Sequence, residues 1–130
     1  MAGPGRRSRR QAAELARRGE ALAAEHLERA GLEILARNWR SGRREIDLVV
    51  REGAVVAFVE VKTRGPGPQA PLEALGRTKR RDVRRAAEAW IRAHPGVGRE
   101  FRFDAVAVEV DRPGAVRVEH VRDAFRGEDA

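Results

Sequence analysis

The chain has 130 residues, enough to bury one hydrophobic core without metal or disulfide staples and not enough to require a second domain. Cysteine is absent, which excludes a disulfide framework and thiolate chemistry; no apolar run reaches the roughly 18 residues that cross a bilayer, and the basic N-terminus lacks the apolar stretch of a signal peptide. A cytoplasmic protein without a membrane partner is expected, and the net charge of +7 points to an anionic partner, most commonly nucleic acid. Nearly all the positive charge is arginine, so the only two lysines, Lys62 and Lys79, stand out.

Residues 1–10 are a Gly/Arg-rich arm without apolar periodicity, expected to be flexible. From Gln11 to Ala30, Leu15, Leu22, Ala23, Leu27 and Ala30 recur at helical spacing, and Gly31 provides a stop. Leu32 to Ala36 reads as a short strand, followed by a loop over residues 38–44. Glu45 to Val50 and Ala54 to Lys62 read as a hairpin turning at Glu52-Gly53, and Gly65-Pro66-Gly67-Pro68 as a loop. A second helix starting near Leu72 or Thr78 runs to Ala93 and stops at His94-Pro95-Gly96, because proline and glycine oppose continuation. Phe101 to Val110 and Ala115 to Val121 read as closing strands, and residues 122–130 as a frayed tail. The order α-β-β-β-α-β-β predicts an α/β domain over residues 11–121, a mixed sheet flanked by helices.

In the hairpin, a turn at Glu52-Gly53 sets Arg51 against Ala54 and Asp47 against Phe58, diagonal to Glu60. One face then carries Ile46, Leu48, Val50, Val55, Ala57, Val59 and Val61. The other carries Asp47, Val49, Val56, Phe58, Glu60 and Lys62. A sheet that is apolar on both sides is covered on both sides. Two carboxylates side by side on such a surface resist desolvation and repel each other. A hard divalent cation, Mg²⁺ or Mn²⁺, compensates directly, because it takes oxygen ligands and leaves room for water and substrate phosphate. Lys62 on the same face adds a positive charge beside that phosphate. In a chain with 36% charged residues, Glu-x-Lys also arises by chance, and a strand end often carries solvated charges.

Asp47 followed by Glu60-Val61-Lys62 resembles the D-x(n)-(D/E)-x-K signature of restriction-endonuclease-like nucleases, whose core has the same element order. More closely, Gly19-Glu20-Ala21-Leu22-Ala23-Ala24-Glu25-His26-Leu27, Arg37-Asn38-Trp39-Arg40, Glu45-Ile46-Asp47-Leu48, Phe58-Val59-Glu60-Val61-Lys62-Thr63-Arg64 and Arg102-Phe103-Asp104 resemble the YraN family. Its members are small bacterial proteins similar in fold to archaeal Holliday-junction resolvases. The resemblance covers about residues 10–110. It implies a glutamate from the first helix in the metal site, and Glu20 fits, flanking the apolar stripe where Glu25 and Glu28 turn toward solvent. His26 lies on that stripe and reads as a packed histidine. The family motif places glycine where this chain has Arg44, which puts the local loop geometry in question.

On the second helix Lys79, Val83, Ala86 and Trp90 share one side, and Arg77, Arg81, Arg84, Arg85 and Arg92 gather opposite. Lys79 is positioned to reach a carboxylate or a phosphate, or to snorkel at the core edge. With Arg44, Arg64, Arg77 and Arg81, it is a candidate for nucleic-acid contact. The expected function is that of a Mg²⁺-dependent DNA endonuclease, with branched DNA as one substrate class; Asp47, Glu60 and Glu20 serve as metal ligands and Lys62 stands beside the scissile phosphate. Resolution of a junction would further require a homodimer. The alternatives are a non-catalytic nucleic-acid-binding module using the basic helix, and a scaffold for a protein partner.

Overall fold

The computed structural model describes residues 6–65, 77–112 and 114–125. The elements are α1 (Arg6–Arg29), β1 (Glu33–Ser41), β2 (Arg44–Glu52), β3 (Val55–Arg64), α2 (Arg77–Ala93), β4 (Glu100–Arg112) and β5 (Ala115–Val121). Their order is the expected one, and the five strands form a mixed sheet in sequence order in which only β3 and β4 run parallel. The antiparallel neighbours are joined by short turns, and α2 lies in the longer connection that the parallel pair requires. No helix among the described residues is long and apolar enough to cross a membrane.

Each face of the sheet is closed by one helix. On one side Ala23, Ala24 and Leu27 of α1 pack with Leu48, Val50, Ala57, Val59, Val106 and Val108. On the other, Val83, Ala86, Ala87 and Trp90 of α2 pack with Ile46, Val49, Val56 and Phe58, and Phe58 meets the Trp90 ring edge-on at 5.7 Å. The helix α1 begins five residues before its apolar periodicity, because the arginine-rich segment from Arg6 to Arg10 contains no helix breaker and extends the helix into solvent. It ends in a Schellman motif: Gly31 sits at φ +94°, its N–H donates to Glu28 O, and the Leu32 N–H donates to Leu27 O. Leu27 and Leu32 are both buried in the same cluster, the contact that accompanies this cap.

Three expectations change. The segment expected as a loop over residues 38–44 is strand as far as Ser41, because Trp39 and Arg40 pair with Ile46 and Glu45 and only Gly42 and Arg43 turn the chain. Gly42 carries the positive φ of that turn, so Arg44 occupies ordinary strand backbone and requires no glycine. The next hairpin turns at Gly53-Ala54, with Glu52 opposite Val55; a glycine at the first of two turn positions, here at φ +61°, suits this geometry. The register therefore moves by two residues from the expected one, which preserves the faces and brings Asp47 level with Glu60 rather than with Phe58. Finally, residues 122–125 are fastened rather than frayed. Arg122 pairs with Glu52, the Ala124 N–H donates to Phe103 O at 2.8 Å, and Phe125 is buried against Phe103.

The Arg102-Phe103-Asp104 motif explains that anchorage. Asp104 is fully buried and accepts from Arg102 (2.7 and 2.9 Å) and from the Asp123 N–H (3.0 Å), with His120 Nε2 at 2.8 Å. Burial alone would raise its pKa, but these partners outweigh burial and hold it low. The motif is thus accounted for by a satisfied structural charge.

Gly19 fixes where α1 meets the sheet. It is buried, and a Cβ there would overlap the Thr63 hydroxyl of β3. Gly19→Ala gains helix propensity of roughly 1 kcal/mol, yet the overlap is expected to lower unfolding free energy by about 1–3 kcal/mol. Urea denaturation reads the balance; an unchanged or raised midpoint would show that the helix does not need this close approach.

Candidate functional site

The site forms where β1 and β2 change faces. Side chains in a strand alternate, so Ile46 and Leu48 should share one side of the sheet. They do not: Leu48 packs in the α1-side cluster and Ile46 in the α2-side cluster. Their partners on β1 do the same. Arg37, paired with Leu48, faces α1 and reaches Glu28, whereas Trp39, paired with Ile46, faces α2 and meets His94 edge-on. Between them stand Asn38, at φ +48°, and Asp47. The expected placement of Ile46 beside Leu48 is therefore corrected: the faces of both strands change at the Asn38 and Asp47 level, where Asn38 has left-handed backbone.

That reversal turns Glu45 toward α1. Carboxylate oxygens of Glu20, Glu45 and Asp47, one from the helix and two from β2, lie within 4.8 Å of one another. On the other side of Asp47 the β2–β3 ladder ends at Leu48–Val59, and the Val61 N–H donates to Asp47 Oδ2 at 2.8 Å in place of a backbone carbonyl. Glu60 follows, buried, with Oε1 at 3.1 Å from Lys79 Nζ of α2 and Oε2 without a hydrogen-bond partner. Four carboxylates thus converge from three elements at the seam between the two helical layers.

The electrostatics reflect that crowding. Burial, reinforced by the Asp47 charge, pushes Glu60 up to about 8. Burial also raises Asp47, against the pull of the Val61 N–H and Lys79, and raises Glu20, with Asp47 adding to the effect and Asn38 opposing it. Lys79 is held above the ordinary lysine range, because Glu60 outweighs the cost of burying its ammonium. Lys79 on Glu60 and Arg40 on Glu45 at 2.9 Å answer only part of this charge, and a divalent cation would answer the rest. Hard oxygen donors without nitrogen or sulfur fit Mg²⁺ or Mn²⁺, and the orphaned Glu60 oxygen and the three clustered carboxylates supply the donor set.

Among the expected site residues, Asp47, Glu60 and Glu20 come together. Lys62 is exposed further along β3, and the ammonium that meets Glu60 is that of Lys79. Arg44 lies 3.5 Å from Asp82 and Arg64 lies 3.9 Å from Glu109, both partly occupied by carboxylates. Arg81 is exposed on α2, and the Arg77 side chain lies outside the described residues. Sequence reasoning missed Glu45 as a site residue. No signal in the sequence marked it, because strand alternation fails at Asp47.

A five-stranded mixed sheet between two helices, in the order α-β-β-β-α-β-β and with acidic side chains gathered where β2 and β3 part, defines a domain of the restriction-endonuclease-like class. Within it, residues 19–108 match the model of the uncharacterised protein family UPF0102, and the chain belongs to that family, the YraN family its motifs resemble. It is 48% identical over 116 residues to a UPF0102 protein of Parafrankia sp. (strain EAN1pec), covering 85% of this chain and 95% of the relative. A UPF0102 protein of Rhodococcus opacus (strain B4) is 46% identical over 108 residues, covering 82% and 92%. One of Anaeromyxobacter dehalogenans (strain 2CP-C) is 48% identical over 115 residues, covering 88% and 85%.

Proposed function

We propose that this protein is a divalent-cation-dependent nuclease that hydrolyses phosphodiester bonds in DNA. The observation that carries the reading is the convergence of Glu20, Glu45, Asp47 and Glu60 at one seam, with Glu60 held so far above the carboxylate range that it keeps a proton near neutral pH. The partners these carboxylates have, the Val61 N–H, Lys79 and Arg40, leave their pKa values raised or their charges crowded, in contrast to the fully partnered Asp104. Glu20, Glu45 and Asp47 would hold Mg²⁺ or Mn²⁺, with Glu60 completing the set. The cation, when bound, supplies Lewis-acid polarisation of the phosphate and a more acidic bound water. The side chains do the rest. Lys79 would keep the Glu60 carboxylate oriented, and exposed Lys62 would meet the scissile phosphate and offset its developing charge.

Exposed Arg81, Arg85 and Arg92 share one side of α2 and would track neighbouring phosphates. The same arginine face favours the second reading, a protein that binds nucleic acid without cutting it. Branched DNA is the substrate for which the resolvase-like architecture is suited, and symmetric cutting of a junction would require a homodimer.

The deciding experiment incubates the full chain with Mg²⁺ or Mn²⁺ and duplex, single-stranded or four-way-junction DNA, beside Asp47→Ala and Lys62→Ala. Cleavage by the wild type that both variants lose supports the nuclease. Junction cutting alone, by a species that sediments as a dimer, supports the resolvase form. Salt-sensitive binding with no cleavage, or cleavage equal in all three proteins, removes the nuclease and leaves the binding module.

A further inference from the structure

Asn38 stands apart from every other residue near the site. Asn38 and Asp123 are the non-glycine residues with positive φ among those described, and Asn38 alone of the two lies inside a strand. Left-handed backbone in an L-residue costs energy and persists where the surroundings hold it, and asparagine is among the side chains that tolerate it best. Here it does two things. It stands at the reversal that leaves Arg37 and Leu48 on one side of the sheet and Trp39 and Ile46 on the other, level with the place where Glu45 and Asp47 meet Glu20 of α1. Its side chain also lines, with Glu20, Arg17, Arg37 and Leu48, a groove of about 240 Å³, where the carboxamide opposes the rise of the Glu20 carboxyl. Asn38 is therefore the link between the carboxylate of α1 and those of β2.

We propose that Asn38 is the positioning residue of the carboxylate cluster: its left-handed backbone sets Glu45 and Asp47 facing Glu20, and its carboxamide holds Glu20 in the orientation that completes a divalent-cation site. The inference rests on the cation-holding part of the proposed function and not on DNA cleavage. A merely structural asparagine would affect folding alone. A positioning asparagine affects cation affinity, and does so through Glu20.

The test is Mn²⁺ titration by calorimetry of the full-length wild type, Asn38→Gly, Glu20→Gln and the double variant, with thermal unfolding recorded in parallel. Glycine accepts the left-handed backbone and removes only the carboxamide. Asn38→Gly is expected to unfold within a few degrees of the wild type and to bind Mn²⁺ about 10-fold more weakly, within the range for loss of a group that orients a ligand. In the Glu20→Gln background the same substitution should change affinity less than about 2-fold, because the carboxylate it orients is gone. Asn38→Val, whose β-branched side chain opposes positive φ, should lose at least about 100-fold if it folds; if it does not, the cycle with Glu20→Gln decides. Wild-type affinity in Asn38→Gly, equal losses in both backgrounds, or a folded Asn38→Val that binds as the wild type does would each overturn the proposal. A wild type that binds Mn²⁺ but cuts no DNA removes the nuclease and leaves Asn38 its role, whereas a wild type that binds no Mn²⁺ ends both.

Discussion

Asp47→Asn is expected to lose metal-dependent cleavage by more than about 10²-fold, beyond what removing a ligand's supporting partner typically causes, while folding more stably than the wild type when no divalent cation is present. Both effects have one cause. Asp47 is buried among three other carboxylates, and burial is the first contributor to its raised pKa. An amide at that position still accepts the Val61 N–H now made at 2.8 Å, but it removes the charge that repels Glu45 and Glu60. Thermal unfolding with and without Mn²⁺ checks this beside the cleavage assay: the wild type should gain stability from the ion and Asp47→Asn should gain little. A variant that is less stable than the wild type without cation, and still cuts DNA, would deny the carboxylate any part in holding the ion.

Glu60 sets the pH dependence. Its carboxyl is pushed from the ordinary 4.5 up to about 8, first by burial and then by Asp47. The folded protein therefore holds a proton that the unfolded chain releases. The stability this contributes is fully present below pH 4.5 and is lost as pH rises through about 8. The wild type should weaken by a few kcal/mol across that window, each pKa unit being worth roughly 1.4 kcal/mol. Glu60→Gln keeps a neutral side chain throughout, so its decline there should be shallower, left to the raised Asp47 and Glu20, and its stability should exceed that of the wild type at pH 8. Glu52 acts with opposite sign. Its hydrogen bond to Arg122 draws it down to about 2, so its contribution is present above 4.5 and is lost as pH falls toward 2. Asp104, also held low, adds to that acid limb. Urea unfolding as a function of pH should place the wild-type maximum near pH 4.5 in the absence of divalent cation. An identical alkaline slope in wild type and Glu60→Gln would remove Glu60 from the balance.

The contrast between the two buried acids also indicates where function lies. Asp104 is surrounded by donors, and each of its oxygens is partnered. Glu60 has comparable burial, one lysine contact, and otherwise the like-charged Asp47 carboxylate beside it. Evolution of a merely stable core would favour the first arrangement; the second makes sense where a cation or substrate completes it.

Much of this was legible along the chain. Hydrophobic periodicity is a local property, so the element order, the two-sided burial of β2 and β3, the stop at Gly31 and the candidacy of Asp47 and Glu60 could be read from the chain, whereas Glu20 was implied by the family resemblance. Three features could not. A hairpin register depends on which two residues turn, and moving the turn from Glu52-Gly53 to Gly53-Ala54 shifts every partner while leaving the apolar pattern unchanged. The reversal at Asn38 and Asp47 breaks the alternation on which the reading of faces relied, and nothing in the local pattern marks an exposed asparagine as left-handed inside a strand. Glu45 joined the cluster for that reason, and Lys79 met Glu60 because the α2 layer lies across the seam from α1. Local pattern sufficed to name most of the chemistry-bearing side chains; which of them meet was decided by contacts between segments far apart in the chain, because α1, β2, β3 and α2 each bring one or two of them to the same seam.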